Sequence, residues 1–472
     1  MHKLIKNTSI YALGDIIPRL LSFITFPILT RYLVPDDYAI VSYANTINLF
    51  IMIISFLCLN TYYLVFYYRM DGKKKQKELL GNITIFVMGI NMIFTIFFLF
   101  VGKYFFAAIG SSIVFFPYIA IAIGTNFFNI FGVLPAALFR VQERPMPFTL
   151  INVIKGVLTM GITLILVVGF GYKALGVLLS NLVVSILFFI IYAIITLKNM
   201  IWNINLLQIK EALVFSLPLL PGSVAGFASS MLDRVFIEKY LNLFDLGIYS
   251  VASTIALMLN IISYGAYKAF EPYIFKMYGS VFFQSNFAKV HDLFLAVLLL
   301  GAMGLSIFAK EFLIIFAGYE YQTSYYFVPM IMVGVVLYSM NMLWGTVMTA
   351  EGKTKLMSII TILGGFLSCI INILLLPIIG LPAASLASGI SFGMMLLLSI
   401  LFVKTKINYL VPIRVILLVS FTIWFLVYVF SSDNILFSLF IKSFVIIIVM
   451  IVVLLMFRFN LTKFKQYLNI HN

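Results

Sequence analysis

The chain carries little charge for its length, because Asp, Glu, Lys and Arg make up only 10% of its 472 residues. An average soluble domain contains roughly 25% of these residues. By contrast, 63% of the chain is hydrophobic, and its mean hydropathy is +1.13. No water-soluble surface can be built from such a composition, which therefore predicts an integral membrane protein.

Cysteine and histidine are scarce as well, with two and three residues. Cys58 and Cys369 lie in separate apolar segments without C-x-x-C spacing, which favours core packing over a disulfide or a metal site. His2, His291 and His471 are far apart and assemble no acid–base or nucleophilic group. The phosphate-binding pattern G-x-x-x-x-G-K-[ST] does not occur. We therefore expect no enzyme activity, no cofactor and no ATP-driven step within this chain.

Long apolar runs dominate the chain instead. A helix needs about 20 apolar residues to cross a bilayer, and the runs here are too long for the strands of a membrane barrel. We predict an all-α polytopic membrane protein with about 14 transmembrane helices. The predicted helices 1–14 fall at 9–33, 38–60, 80–101, 113–139, 148–170, 174–197, 212–237, 247–270, 291–309, 326–349, 357–377, 382–403, 412–430 and 435–457. The longest connection is expected around 271–290.

The basic residues are distributed unevenly between the connections. If the N-terminus is cytosolic, 22 of the 31 Lys and Arg residues fall on the cytosolic side and 5 on the other. Short connections rich in Lys and Arg stay in the cytosol, so both termini are expected there. The net charge of +15 therefore reflects the membrane topology and contact with anionic membrane lipids. No nucleic-acid partner is expected.

One stretch of the sequence occurs twice. Residues 31–47 read RYLVPDDYAIVSYANTI, and residues 239–255 read KYLNLFDLGIYSVASTI. Extended without a gap by eight residues, the copies share 12 of 25 positions, including Asp37/Asp245 and Ser42/Ser250. An even number of predicted helices separates the copies, so they share one orientation, as in transporters built from parallel repeats.

The duplication predicts two parallel six-helix repeat lobes. The N-terminal lobe would span 1–200 with helices 1–6, and the C-terminal lobe would span 201–406 with helices 7–12. Residues 407–472 would add a C-terminal hairpin, helices 13–14, and a cytosolic tail. Repeat transporters place the substrate path between their lobes, so this arrangement indicates transport.

Three segments also resemble a known family. The first two are GDIIPRLLSFITFPILTRYLVPDDYAIVSYANTI (14–47) and LPLLPGSVAGFASSMLDRVFIEKYLNLFDLGIYSVAS (217–253), and a weaker one is AEGKTK (350–355). They resemble the Wzx-type polysaccharide (O-antigen) flippases, the lipid-linked oligosaccharide branch of the multidrug/oligosaccharidyl-lipid/polysaccharide (MOP) exporter superfamily. The resemblance covers helices 1–12. Members with twelve helices are common, so a count of fourteen departs from the simplest pattern.

The resemblance implies a MATE-like fold and a specific task. An undecaprenyl-pyrophosphate-linked sugar repeat unit, of O-antigen or of capsule or exopolysaccharide, would move from the cytosolic to the periplasmic leaflet of the bacterial inner membrane. A polysaccharide polymerase and the chain-length machinery would be partners. A MOP drug or cation antiporter and a peptidoglycan-precursor flippase stay open as alternatives, whereas the lack of catalytic residues disfavours a polymerase, ligase or acyltransferase.

Two basic residues lie deep in the predicted N-terminal lobe. Arg19 is about 15 Å into helix 1, with Asp15 one turn earlier on the same face. Either the two form a structural ion pair, or Arg19 binds the pyrophosphate bidentately while Asp15 orients it or binds a coupling cation. Lys155 is about 12 Å into helix 5 without an acidic neighbour one turn away. It faces either an anionic ligand in a cationic cavity or, by snorkelling, the headgroups.

A second set of charges surrounds the repeated stretch. Arg31 and Lys239 are equivalent residues and serve either as the exit side of a cationic path or as interface anchors. Asp233 and Arg234 are adjacent near the end of helix 7, and adjacent helical residues do not face each other. We therefore expect separate partners for them, with Glu238 and Lys239 as the structural choice and substrate binding or ion coupling as the functional one.

The charge distribution yields a test of topology. Cysteines introduced at Gly72 and Asp36, in a background without native cysteine, should differ in labelling by a membrane-impermeant maleimide in intact cells. We expect labelling at residue 36 only, because the connection at 69–78 carries five basic residues and should be cytosolic. Equal labelling, or labelling only at residue 72, contradicts this orientation.

Overall fold

The structure, a computed structural model, describes residues 2–108, 110–407, 410–430 and 434–457. Within these ranges all regular structure is helical, and fourteen helices are long and apolar enough to cross a membrane. They are α1 (Ile10–Tyr32), α2 (Pro35–Phe56), α3 (Lys73–Ala108), α4 (Phe115–Val141), α5 (Pro145–Gly169), α6 (Lys173–Asn199), α7 (Leu206–Met231), α8 (Leu243–Met277), α9 (Phe283–Ile307), α10 (Val328–Ala350), α11 (Thr354–Ile379), α12 (Pro382–Phe402), α13 (Val411–Val429) and α14 (Leu436–Met456). The predicted all-α polytopic class is confirmed, and a membrane-length helix lies at each of the fourteen predicted spans. The predicted cytosolic tail after residue 457, with His471, lies outside the described residues.

The predicted long connection at 271–290 is wrong. Helix α8 continues to Met277 and α9 already begins at Phe283. Polar contacts extend α8 beyond its apolar run, because Glu271 accepts hydrogen bonds from Tyr267 and Lys268 at 2.9 Å each. Side chains three and four residues apart stabilise a helix in this way. Hydropathy measures only the part of a helix that lipid surrounds, so it misses such extensions.

The second span is interrupted rather than continuous to residue 60. Helix α2 ends at Phe56, and Leu57 and Cys58 follow with φ of 51° and 58°. The chain then resumes as a short helix, Leu59–Tyr67. At the break the Cys58 Sγ lies 3.3 Å from the Ser223 Oγ of α7. Two consecutive left-handed residues that are not glycine each cost roughly 1–2 kcal/mol, so surrounding contacts must hold this turn in place.

The described helices form two compact units. The first unit comprises Met1–Ser250, Phe316–Tyr321 and Gly365–Gly380. In it, α1 packs closely on α5, because Gly14 lies against Thr149 and Gly156 lies against Pro18. The Thr149 hydroxyl donates to the Ile10 carbonyl at 2.6 Å. Small residues allow membrane helices to approach this closely, and side-chain hydrogen bonds then join them.

The second unit comprises Val251–Ile315, Gln322–Gly364 and Leu381–Asn472. Hydroxyl groups join α8 to α10, where Ser263 donates to Ser339 at 2.6 Å. A buried ion pair joins α14 to this unit, because Lys442 Nζ lies 2.6 Å from Glu311 Oε1. Ser438 donates to the same oxygen at 2.6 Å. Lys442, which has no explanation in the sequence, is therefore the residue that anchors the appended hairpin.

The break after α2 makes a prediction about stability. Cys58→Gly and Cys58→Ala both remove the sulfur, but only glycine adopts a positive φ without a steric cost. We expect the glycine variant to be more stable than the alanine variant by about 1 kcal/mol. Thermal unfolding in detergent measures the difference. Within a regular helix alanine is the more stable residue by about 0.5–1 kcal/mol, so the opposite order would show that residue 58 is helical in solution.

Candidate functional site

A buried ion pair lies just after α7. Asp233 and Arg234 are each 7% exposed, and Asp233 Oδ1 accepts hydrogen bonds from the Arg234 backbone N at 2.9 Å and from its Nη1 at 3.1 Å. The Tyr249 hydroxyl donates to Asp233 Oδ2. On the other side of the pair, Arg234 Nε donates to Ser42 Oγ at 3.1 Å. A carboxylate and a guanidinium are thus both satisfied inside the protein.

The expectation that Asp233 and Arg234 need separate partners is wrong. The rule that adjacent residues face apart holds within a continuous helix, but α7 ends at Met231 and a new helix, Asp233–Tyr240, begins after Leu232. Asp233 is therefore in the first turn of a helix, where a carboxylate is favoured by the free N–H groups. From there its side chain reaches the backbone and the side chain of the next residue.

Glu238 does not pair with Arg234 either. It is 5% exposed, and its Oε1 accepts hydrogen bonds from the Ser112 backbone N at 2.5 Å, the Ser112 Oγ at 2.8 Å and the Ser111 Oγ at 3.0 Å. The neighbouring Lys239 is exposed, with its Nζ 5.8 Å from the centre of the Tyr240 ring. The expected structural pairing of Arg234 with Glu238 and Lys239 is therefore wrong.

The two copies of the repeated stretch have matching helix boundaries. In the first copy one helix ends at Tyr32 and the next begins at Pro35, and in the second the helices end and begin at the equivalent Tyr240 and Leu243. The copies also touch, because a Cβ atom at Gly247 would overlap the backbone carbonyl of Pro35. Only glycine allows this approach.

These contacts form one polar group, which we call the turn cluster. It consists of Ser42, Asp233, Arg234, Glu238 and Tyr249. Its hydrogen bonds join the helix Asp233–Tyr240 to Ser42 of α2, to Tyr249 of α8 and to the segment at 111–112. Arg31 lies in the last turn of α1 and is exposed. Of the residues predicted around the repeat, the structure therefore brings Asp233 and Arg234 together, and leaves Arg31 and Lys239 at the surface.

Lys155 has neutral surroundings. Its Nζ donates to Asn129 Oδ1 of α4 at 2.7 Å, and Ser185 Oγ of α6 donates to the same oxygen at 3.1 Å. The ring of Phe188 lies 6.0 Å from the Nζ. The lysine is half-buried, so it is neither enclosed nor extended to the end of its helix. An amide and an aromatic face orient the ammonium without cancelling its charge.

Arg19 lies at the same level of the bundle as Lys155. The α1–α5 contact brings Pro18 against Gly156, and these are the residues next to Arg19 and Lys155. Arg19 is exposed and Asp15 is half-buried. Thirteen steps along the helix lead from Arg19 to Tyr32, which at 1.5 Å each places the level of the two basic residues about 20 Å from the turn that follows α1.

Several residues of these sites could not be picked out from the sequence. Ser42 carried a weak signal, since it is one of the identical pairs of the repeat. Asn129 carried the weak signal of an asparagine within an apolar span, and Tyr249 lies in the segment 217–253 that carries the family resemblance. The serines at 111–112 carried none. Across the part of the chain that the structure describes, no three His, Cys, Asp or Glu side chains gather as possible ligands of a metal ion.

Comparison with known proteins agrees with the fold. Residues 4–278 match the model of the family described as polysaccharide biosynthesis protein. An uncharacterized membrane protein of Haemophilus influenzae is 22% identical over 409 residues, which cover 82% of this chain and 94% of that protein.

Two solved structures share the architecture. The lipid II flippase MurJ in an inward closed conformation superposes with a TM-score of 0.74 at 15% identity, covering 95% of this chain and 98% of MurJ. A multidrug resistance MATE family transporter of the MOP superfamily, in an inward-facing conformation, gives a TM-score of 0.62 at 14% identity, covering 83% of this chain and 97% of the transporter. The predicted MATE-like fold is confirmed.

The Asp233–Arg234 pair predicts strong energetic coupling. Removing one charge of a buried pair leaves the other without compensation, which typically costs 3–5 kcal/mol. We expect Asp233→Asn and Arg234→Gln each to lower the free energy of unfolding by about 3 kcal/mol, and the double variant to lose at least about 1 kcal/mol less than the sum. Denaturant titration in detergent measures these values. Lys239→Gln, which changes an exposed cation on the same helix, is the control and should have little effect. Additive losses would show that the pair is not formed.

Proposed function

Because the chain belongs to the polysaccharide biosynthesis protein family, we propose that it is a flippase for a lipid-linked oligosaccharide. The substrate is an undecaprenyl-pyrophosphate-linked repeat unit of a surface polysaccharide, such as O-antigen or capsule. It passes from the cytosolic to the periplasmic leaflet of the bacterial inner membrane by alternating access. Both termini lie in the cytosol, in agreement with the distribution of Lys and Arg. A polymerase and the chain-length machinery use the repeat unit after its transfer.

The observation that carries this proposal is the charge of Lys155. A lysine at depth in a membrane protein costs about 2.5–3.5 kcal/mol on insertion scales. A hydrogen bond to a charged group returns about 1.5–3 kcal/mol, so the bond to Asn129 offsets much of that cost. It leaves the positive charge in place for an anion. A lysine paired with a carboxylate would present no such charge.

Arg19 is the second element of the proposed anion site. It lies on the helix that packs against Lys155's own helix, at the same level, and its side chain is exposed. A guanidinium holds two phosphate oxygens at once, whereas an ammonium acts as a point charge. We infer that Arg19 orients the pyrophosphate and that Lys155 adds to the attraction, while the polyprenyl chain remains in lipid.

The carboxylates favour an anionic substrate over a cationic drug. A cation exporter of this fold needs a carboxylate that is free to bind its substrate. In the turn cluster, both oxygens of Asp233 already accept hydrogen bonds from Arg234 and Tyr249, and Glu238 Oε1 is bound by the 111–112 segment. A peptidoglycan-precursor flippase remains the second candidate, supported by the likeness to MurJ, because its substrate would use the same anion site.

The turn cluster fits the role of a closed gate. It joins α2 to the helix Asp233–Tyr240 on the side of the proposed anion site that the charge distribution assigns to the periplasm. In alternating access, this end must open for release. We propose that the bonds of Arg234 to Ser42 and of Glu238 to the serines at 111–112 break in that step, whereas the Asp233–Arg234 pair stays intact.

The role of the two basic residues can be tested by export in a deletion strain. Lys155→Arg should keep activity, because arginine retains the charge and can donate to Asn129. Lys155→Gln should reduce export about tenfold or more, and Arg19→Lys should already be impaired since the bidentate geometry is lost. The measurement is the amount of surface polysaccharide, together with the lipid-linked intermediate that accumulates on the cytosolic face. The sugar composition of that intermediate separates a polysaccharide flippase from a peptidoglycan-precursor flippase.

Two controls distinguish transport from stability. Lys355→Gln changes an exposed lysine elsewhere and should have no effect. The double variant Asp15→Asn with Arg19→Ala removes two charges of α1 that lie one turn apart, so the Asp15 carboxylate is not left behind without Arg19. If this double variant inserts normally and exports at the parental rate, Arg19 has a structural role and the anion binds elsewhere.

A further inference from the structure

A small polar cavity lies in the second unit, where the appended hairpin meets the end of α9. Its volume is about 80 Å³, which corresponds to about three water molecules at ~30 Å³ each. Residues from α9, from the connection before α10, and from α13 and α14 enclose it. They are Ser306, Ile307, Lys310, Tyr325, Tyr326, Leu426, Val427, Tyr428, Phe430, Ser438 and Lys442.

The walls of this hairpin cavity carry a net positive charge. Lys442 is neutralised by Glu311, at 2.6 Å. Lys310 is half-buried, and its Nζ lies 6.0 Å from the centre of the Tyr325 ring. Burial and the hydrogen bond to Tyr326 raise the pKa of the Tyr325 phenol, so this side chain stays a neutral donor. Two ammonium groups against one carboxylate leave one positive charge beside the cavity.

A buried hydroxyl on the wall has no partner within the protein. Ser306 is 1% exposed, and its Oγ makes no hydrogen bond with any residue that the structure describes. A buried polar group left in this state costs about 1–3 kcal/mol. Because Ser306 lines the cavity, a group bound there can accept a hydrogen bond from the Ser306 hydroxyl. The cavity therefore offers a hydroxyl and a lysine as donors, which is a pair suited to an anion.

Apolar side chains cover the outer surface of the hairpin. Phe437 and Phe440 on α14 are 53% and 72% exposed, and Phe425 and Val429 on α13 are 44% and 51% exposed. These helices cross the membrane, so such residues face lipid. A ligand with an anionic head in the cavity would have its apolar part along them. Free phosphate would gain nothing from these surfaces.

We propose that the hairpin cavity binds the phosphate of an anionic phospholipid, with the acyl chains along α13 and α14. Basic pockets between transmembrane helices bind anionic lipid headgroups by the same chemistry. The volume suits a phosphate. In the orientation predicted from the basic residues, the lipid belongs to the outer leaflet. Helices 13–14 then have a role that the six-helix repeats do not provide.

Lipid binding to the purified, delipidated full chain tests this proposal. Phosphatidylglycerol should raise the unfolding temperature in detergent and remain bound in native mass spectrometry. Phosphatidylcholine and inorganic phosphate should do neither at the same concentration. Lys310→Gln should weaken phosphatidylglycerol binding about tenfold, as expected for the loss of one charge-assisted hydrogen bond. Lys310→Arg should retain it. Lys103→Gln removes an exposed lysine outside the cavity and should bind as the parent does.

The outcomes are distinct. Equal binding of phosphatidylglycerol and phosphatidylcholine by the parent protein overturns the proposal, whatever the variants do. Stabilisation by inorganic phosphate alone also overturns it and would identify a site for free phosphate. Equal weakening by Lys310→Gln and Lys103→Gln would show that attraction is spread over the surface, which excludes a site in the cavity. None of these results depends on whether the chain exports a glycan.

Discussion

Hydrocarbon offers no hydrogen-bond partner, so a polar group inside a membrane protein must find its partner within the chain. Three buried carboxylates show how this fold meets that condition. Asp233, Glu238 and Glu311 accept hydrogen bonds from residues that are 16, 126 and 131 positions away in the sequence. The bonds that make these charges tolerable therefore also join distant segments. In a bundle with few other directional contacts, they determine which helix ends lie together.

The two copies of the repeat have the same helix boundaries, but the charged residues beside them differ. Helix boundaries coincide in both copies, because the same turn residues occur in each. Yet 208 positions before Asp233, Arg234 and Glu238, just ahead of the first copy, stand Thr25, Phe26 and Thr30. There the two threonines bond to the backbone of their own helix. The ions stand just ahead of the second copy and Ser42 lies in the first, so this polar contact is directional although the scaffold is repeated.

The sequence predicted the fold well because the membrane imposes a simple rule on composition. Each of the fourteen helices needs a long apolar run, and each run was visible. The depth of Lys155 was also predictable, since it depends only on position along a helix. The features that could not be predicted depend on interruptions of the helical backbone within a span. The break at Leu57 and Cys58 has no glycine or proline to announce it, and the new start after Leu232 is what allows Asp233 to bind its neighbour. The partners of Lys155 lie on two other helices, and no local pattern connects them.

The Glu311–Lys442 pair has a consequence for how the protein is made. Glu311 leaves the ribosome 131 residues before its lysine does. At about 5–20 residues per second, translation needs roughly 7–26 seconds to cover that distance. Throughout this interval the second unit carries an acidic group whose counter-ion has not yet been synthesised. A chain truncated before α14 would never supply this counter-ion. An incomplete chain therefore differs from a finished one by an acidic residue in its second unit that has no counter-ion.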